Sequence, residues 1–154
     1  MAMRDLVEVA GFPLALGRLY HAESHMWVVT GQPDRVRVGM DALGVETSGT
    51  LAQVSFLPAG SAIAAGRPFG QLEAAKFVGP LLSPVSGTLL ATNEQVALDA
   101  ALLERDPYGQ GWLMEARVTE PEGDLAALLA DPEEIRAWFA AKVADYKLKG
   151  VLAQ

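Results

Sequence analysis

From Met26 to Thr92 the chain is cut into short apolar runs by turn residues: Gly31 to Asp34, Ser48-Gly49, Pro58 to Gly60, Gly66 to Pro68, Gly79-Pro80 and Ser86-Gly87. Runs this brief, rich in Val and Leu and punctuated by Gly and Pro, read as strands and turns. "MWVV" is apolar and β-prone, and "RVRVGM" alternates basic with apolar residues, the pattern of a strand with one face buried. "GTLAQVSFL", "GPLLSPV", "GTLLAT" and "GWLMEARV" continue the series. Short strands at near-regular spacing predict a mainly β chain, a small barrel or sandwich.

Two further patterns refine this. "SGTL" occurs at 48–51 and again at 86–89, each time ahead of an apolar strand, as though two related halves met near residue 76. Past residue 92 the chain changes character. "NEQVALDAALLERD" reads as helical or irregular, and "EGDLAALL" as a short helix. The spacing then predicts a helix over about 131–149. Asp131 stands at the N-cap, Pro132 at the first helical position and Glu133-Glu134 in the first turn, with Gly150 as a stop. Ile135, Trp138, Phe139 and Val143 recur at helical spacing on one face. Residues 1–18 are loosely patterned and read as an N-terminal extension to a single domain spanning 1–154.

Composition excludes several functions. A formal charge of -7 leaves no basic face for a phosphate backbone, so no nucleic-acid partner is expected. No apolar stretch approaches the ~18 residues that cross a bilayer. The acidic residues and Pro13 near the start interrupt any signal-peptide core, so the chain reads as cytoplasmic. With no cysteine, thiol chemistry has to arrive on an attached group.

Lysine is sparse. Lys76 is the only one before residue 142, and it lies in a polar gap between apolar runs, "EAAKFVGPLL". It reads in three ways: as an ordinary surface lysine in a turn, as a catalytic lysine of lowered pKa, or as a site of covalent modification. Catalysis needs burial or a cationic neighbour, whereas the nearest charge is Glu73. Modification needs an exposed tip, small neighbours and few competitors; Ala74 and Ala75 supply the second condition. His21 and His25 flank Glu23, but a segment leading into a strand offers no third ligand, so no metal is expected. His25 reads as a packing or hydrogen-bonding residue, and Trp27, Trp112 and Trp138 as core anchors.

Three separated stretches resemble one family. "GQLEAAKFVGPLLSPVSGTLLATNE" is similar to the lipoyl-attachment segment of glycine cleavage system H proteins, with an acidic residue three positions before the lysine. "LYHAESHMWV" resembles that family's opening segment, and "DPYGQGWLMEARV" its Asp-Pro-Tyr-Gly run. The resemblance covers roughly residues 12 to 142. It implies a flattened lipoyl/biotinyl-type β-barrel sandwich with additional helices, notably at the C-terminus, and lipoate in amide linkage on Lys76. Glu73 would define the turn for the loading enzyme, a lipoate ligase or lipoyl transferase, and Gly79 would lie in that turn. Biotin carriers usually flank the lysine with methionine, which Ala75 and Phe77 do not match. Such a protein is a carrier without catalytic residues.

Some residues depart from the usual H-protein pattern. Met26 stands where a glutamate usually separates His and Trp, and "FVGPLL" replaces a more polar stretch after the lysine. "EAAKFVGPL" and "GMDALGVETSGTL" look more like the lipoate-binding proteins that accompany the heterodisulfide-reductase-like complex of sulfur-oxidising prokaryotes. That likeness implies a sulfur-bound cargo. The alternative is the aminomethyl cargo of glycine cleavage, with glycine decarboxylase, aminomethyltransferase and dihydrolipoamide dehydrogenase as partners. An unlipoylated binding module that has kept the fold is a third possibility.

Overall fold

The computed structural model describes residues 5–152. β1 (Leu6–Val9) and β2 (Phe12–Ala15) form an antiparallel hairpin. β3 (Leu19–His21), β4 (Met26–Gln32) and β5 (Arg35–Met40) follow as a meander, and α1 (Ala42–Ser48) leads into β6 (Leu51–Phe56). Next come β7 (Ala62–Ile63), β8 (Pro68–Ala74), β9 (Val78–Leu82) and β10 (Gly87–Thr92). Helices α2 (Glu94–Leu98) and α3 (Leu102–Arg105) precede β11 (Met114–Val118), and α4 (Pro121–Ala126) and α5 (Pro132–Leu148) complete the order.

The strands make a six-stranded sheet, β3-β4-β5-β11-β10-β7, and a three-stranded sheet, β6-β8-β9. The fold is therefore mainly β with a helical C-terminus. The barrel implied by the resemblance is not closed: no strand ladder joins the two sheets among the described residues. Single backbone bonds from the connecting loops tie them instead, such as Gly60 N–H, beyond β6, to the Leu89 carbonyl of β10 and Gly66 N–H, beyond β7, to the Ser83 carbonyl beyond β9. The two-residue β7 is too short to carry a ladder round the edge. What remains is a sandwich held by its filling.

That filling follows from period two. In β5 Arg35 and Arg37 face water while Val36 and Val38 are buried. Val38 packs with Val54, Phe69, Leu72, Leu81 and Leu89 in the core between the sheets. β4 is buried on both faces at its start: Met26 and Val28 join this core, and Trp27 points the other way. Trp27 opens a second core with Tyr20, Leu43, Tyr108, Ile135 and Phe139 on the outer face of the large sheet. Its cross-strand partner is Gly39, where any Cβ would overlap the indole. Glycine lets the ring lie flat on the sheet, and the indole N–H donates to the Pro107 carbonyl at 3.0 Å.

α5 covers this second core. It begins where the cap residues predict, with Asp131 accepting from Glu134 N–H at 3.0 Å and Pro132 in the first turn. Ile135, Phe139 and Val143, spaced i, i+4, i+8, are buried, and Trp138 is half-buried beside them. Trp112 is likewise only half-buried, with the Arg37 guanidinium 4.5 Å above its ring.

Two stretches differ from their sequence reading. Residues 1–4 of the loosely patterned start lie outside the described residues. From Leu6 to Ala15 it forms a packed hairpin, because Leu14 and Ala15 are fully buried against the second core. Its Tyr20 neighbour closes the adjacent edge by pairing with Leu129. The stretch 42–48, unmarked by any strong periodicity, is α1. The Asp41 carboxylate starts it by accepting from Gly44 N–H at 2.8 Å. Gly44 is required there, since a Cβ would stand 2.9 Å from both His25 Cβ and Met40 Cγ.

Candidate functional site

Lys76 sits at the tip of the β8–β9 hairpin and is exposed. The bend is short: Glu73 still pairs with Val78, and Ala74 N–H donates to the Phe77 carbonyl at 2.8 Å. A tip this small would ordinarily be free to rock, but two long-range backbone bonds hold it. Ala75 N–H donates to the Thr50 carbonyl at 2.9 Å, and Lys76 N–H to the Ser48 carbonyl at 2.8 Å. The loop that ends α1 is thus a seat for the lysine.

Gly49 forms the floor of that seat. Its φ of 80 and ψ of -162 lie in a region essentially reserved for glycine. A Cβ there would stand 3.0 Å from Lys76 Cγ and 3.2 Å from Lys76 N. The missing side chain lets the hairpin lie on the loop while the ammonium projects outward. No ion pair to Lys76 is formed among the described residues. An amine exposed on an unpaired stem, with its backbone clamped, suits covalent extension by an acyl group. It is poorly suited to catalysis, which would need the ammonium desolvated.

The other sequence candidates are placed as follows. Glu73 is exposed on β8 and makes no ion pair with Lys76 among the described residues. Gly79 lies inside β9 opposite Leu72, and so belongs to the strand and not to the turn. The ladder runs closer to the tip than the Gly-Pro pair suggests. Gly79 instead leaves room for the Phe77 ring, whose Cζ would be 3.0 Å from a Cβ at that position. Phe77 and Val78 are 41% and 68% exposed, so the surface beside the lysine is apolar.

His25 is buried, and no group of three or more His, Cys, Asp or Glu that could hold a metal ion exists among the described residues. Its Nδ1 lies 2.9 Å from Asp41 Oδ2, and its Nε2 lies 2.8 Å from the Tyr146 hydroxyl. Since a carboxylate only accepts, Nδ1 donates to Asp41, and the Tyr146 hydroxyl, which can donate or accept, partners Nε2. Burial, with Asp41 nearby, raises the Tyr146 pKa and keeps that hydroxyl protonated. The residue is held at φ 61, uncommon outside glycine, so three elements converge on one strained position. Asp41 at once caps α1 and anchors His25, which ties the lysine's seat to α5.

Sequence reasoning missed Ser48, Gly49 and Thr50, although the "SGTL" echo had drawn attention to the same residues. It also gave Tyr108 no role beyond its place in the Asp-Pro-Tyr-Gly run. Tyr108 is buried, donates to the Pro13 carbonyl at 2.7 Å and accepts from Ala42 N–H at 3.1 Å. Burial pushes its pKa well above that of an ordinary tyrosine. Arg18 packs over the Trp27 ring at 4.6 Å and donates to the Tyr108 carbonyl at 3.1 Å. Its pKa is lowered, chiefly by burial.

Two clefts flank the bend. The larger, about 600 Å³, includes Lys76 and Ala75 together with Phe12, Val45, Leu103 and Tyr108. The smaller, about 230 Å³, lies on the Phe77 side and includes His25, Met26, Met40, Pro80 and Leu81.

Two stacked sheets presenting one clamped, unpaired lysine define a scaffold that displays an amine. Comparison with known proteins agrees with this architecture. The family model described as Glycine cleavage H-protein matches residues 19–141. The glycine cleavage system H protein of Corynebacterium jeikeium is 40% identical over 103 residues, covering 65% of this chain and 81% of that protein. The protein of the same name from Mycobacterium leprae is 36% identical over 121 residues, covering 77% and 91%. The crystal structure of a glycine cleavage system H protein from Mycobacterium marinum superposes with a TM-score of 0.68 at 30% identity, covering 78% of this chain and 94% of that one. The chain belongs to the glycine cleavage H-protein family.

Proposed function

We propose that this chain is a lipoyl carrier of the glycine cleavage H type, with lipoate in amide linkage to Lys76. The observation that carries the reading is the exposed Lys76 amine on a backbone-clamped bend. When attached, the lipoyl group supplies the dithiol and disulfide chemistry that a cysteine-free chain lacks. The protein's share of the work is positional. Ser48 and Thr50 hold the tip, Gly49 clears space beneath the stem, and Glu73 marks the strand by which a loading enzyme finds the lysine. The chain is then a travelling substrate, and tethering raises the local concentration of its cargo at each docked partner.

The names of the relatives favour an aminomethyl cargo derived from glycine, the reading that the sequence ranked second. Its partners would be glycine decarboxylase, aminomethyltransferase and dihydrolipoamide dehydrogenase, with a lipoate ligase or lipoyl transferase loading Lys76. The relatives reported above give no support to partnership with a heterodisulfide-reductase-like complex. One observation keeps a sulfur cargo as a second reading. Met26, Phe77, Pro80 and Leu81 make the small cleft beside the lysine apolar, with Glu23 as its one carboxylate, a weak match for a cationic amine.

Two measurements test this. Protein made in lipoate-fed cells should gain one lipoyl mass, and Lys76→Ala should gain none while its stability stays within ~0.5 kcal/mol of wild type. An unmodified wild-type protein would end the carrier reading and leave the binding-module alternative. With the loaded protein, glycine decarboxylase should transfer the aminomethyl group efficiently. Failure of that transfer, together with uptake of thiosulfate-derived sulfur, would move the assignment to the sulfur reading.

A further inference from the structure

The outer face of the six-stranded sheet is covered over only part of its length. α5 and the N-terminal hairpin pack around Trp27, with Val29 at the margin, while Arg35, Arg37 and Arg117 further along the strands are exposed. Register places these three together. Arg37 pairs with Glu115, and Arg35 directly faces Arg117 across the β5–β11 ladder. Like charges set opposite one another on one face cost stability. Glu115 reaches Arg37 only at 3.4 Å and Asp34 reaches Arg117 at 3.7 Å, long exposed pairs that offset little. Arg35 forms no ion pair among the described residues, so it weakens the ladder and returns none of that loss. Beside the arginines runs a groove of about 440 Å³, with Val29, Leu90 and Ala91 as its apolar residues and Arg35 and Arg37 at its rim. The Arg37 guanidinium also lies 4.5 Å over the half-buried Trp112 ring. Arginine and tryptophan are enriched at the centres of protein interfaces, where lysine is depleted.

We propose that the Arg35, Arg37 and Arg117 face is a docking surface for a partner enzyme that presents an acidic segment with an apolar side chain. The inference rests on the carrier reading above, which supplies the reason for docking. Charge chooses this occupant. Carboxylates on the partner would relieve the opposed arginines, and its apolar side chain would fill the groove between them. Glu115 and Asp34, interleaved with the arginines, would repel a continuous phosphate backbone, which disfavours nucleic acid. A second copy of the chain carries the same charge of -7 and is repelled as a whole. Position gives the surface its use. Arg35 opens β5 and Met40 closes it, about 17 Å further along at strand rise, just before Asp41 starts the helix that seats Lys76. A partner held on the arginine end leaves the lysine bend uncovered. Docking there raises the local concentration of the arm without blocking it.

The experiment uses the whole protein with loading at Lys76 verified by mass, as the varied substrate of glycine decarboxylase, aminomethyltransferase and dihydrolipoamide dehydrogenase in turn. Arg35→Glu combined with Arg117→Glu should raise KM about tenfold with at least one of them while kcat holds. Added salt should raise the wild-type KM with that enzyme and leave the variant's nearly flat. Arg35→Thr keeps the test open if the double reversal does not fold. It removes the opposed charge, so it should unfold no earlier than wild type and still raise KM in the same assay. An unchanged KM with all three enzymes would overturn the proposal. So would a wild-type dimer that the variant abolishes, or an RNA or DNA oligonucleotide that only the wild type binds. Absence of lipoyl mass or of any turnover on the wild type sinks the carrier reading first, and this proposal falls with it. Unchanged KM values on fully loaded, active protein sink this proposal alone.

Discussion

The same four residues, Ser-Gly-Thr-Leu, occupy two sites and do different work. At 48–51 they end α1 and turn into β6, and their carbonyls reach outward to Ala75 and Lys76. At 86–89 they open β10 in the other sheet and their groups turn inward. There Ser86 N–H donates to Asp124 at 2.8 Å, its hydroxyl accepts from Ala65 N–H, and its carbonyl accepts from Thr119 N–H. Leu89 is fully buried, whereas Leu51 is half-buried at the edge of the core. Gly49 is required by its torsion angles; Gly87 is required because a Cβ would collide with the Arg117 backbone carbonyl. A shared string therefore sets no shared conformation, and the neighbours decide whether it serves the sheet or the lysine.

Substitution can break this comparison at four points. Gly87→Ala should be the most damaging, destabilising by about 3 kcal/mol, since the carbonyl it strikes belongs to a paired strand and cannot retreat. Thermal or urea unfolding would measure it, and a loss below ~1 kcal/mol would mean that the sheet yields there. Gly49→Ala should cost about 2 kcal/mol from backbone strain. Unlike Gly87→Ala in its folded fraction, it should also slow lipoylation, because the added methyl presses on the Lys76 stem. Equal lipoylation rates for the two folded variants would show that the seat does not position the lysine.

Ser86→Ala should cost about 1 kcal/mol, because Ala65 N–H loses its acceptor. Ser48→Ala should cost least, about 0.5 kcal/mol, since its hydroxyl only adds a bond to the already satisfied Gly44 carbonyl. The backbone carbonyl that holds Lys76 survives that change, so lipoylation should be untouched. A reversed order within the serine pair would mean that the first copy carries more of the fold than its contacts indicate.

Much of the fold was legible. The alternation in "RVRVGM" is reproduced over its first four residues in β5, and the cap at Asp131 marks the start of α5. Both are local effects: side-chain period in a strand, and one carboxylate against a free N–H. The closed barrel was not legible, because closure depends on how strand edges meet and β7 is too short to continue a ladder. α1 was missed because Gly44 and the β-branched Val45 and Thr47 lower its local propensity, and the Asp41 cap and packing on Leu43 override them. Gly79 was put in the turn because Gly-Pro is a strong turn signal, while the ladder in fact continues to Val78.

What the residues settled unaided is the scarcity of lysine, the isolation of Lys76 between two short strands and the lack of any cysteine to supply thiol chemistry. These are matters of composition and nearest neighbours. Only the tertiary structure decided that Ser48 and Thr50 clamp the bend, that Asp41 links its seat through His25 to α5, and that an N-terminal hairpin walls a cleft beside the amine. Each of those depends on a carbonyl, carboxylate or apolar face brought from far along the chain, and no local periodicity records which distant group will arrive.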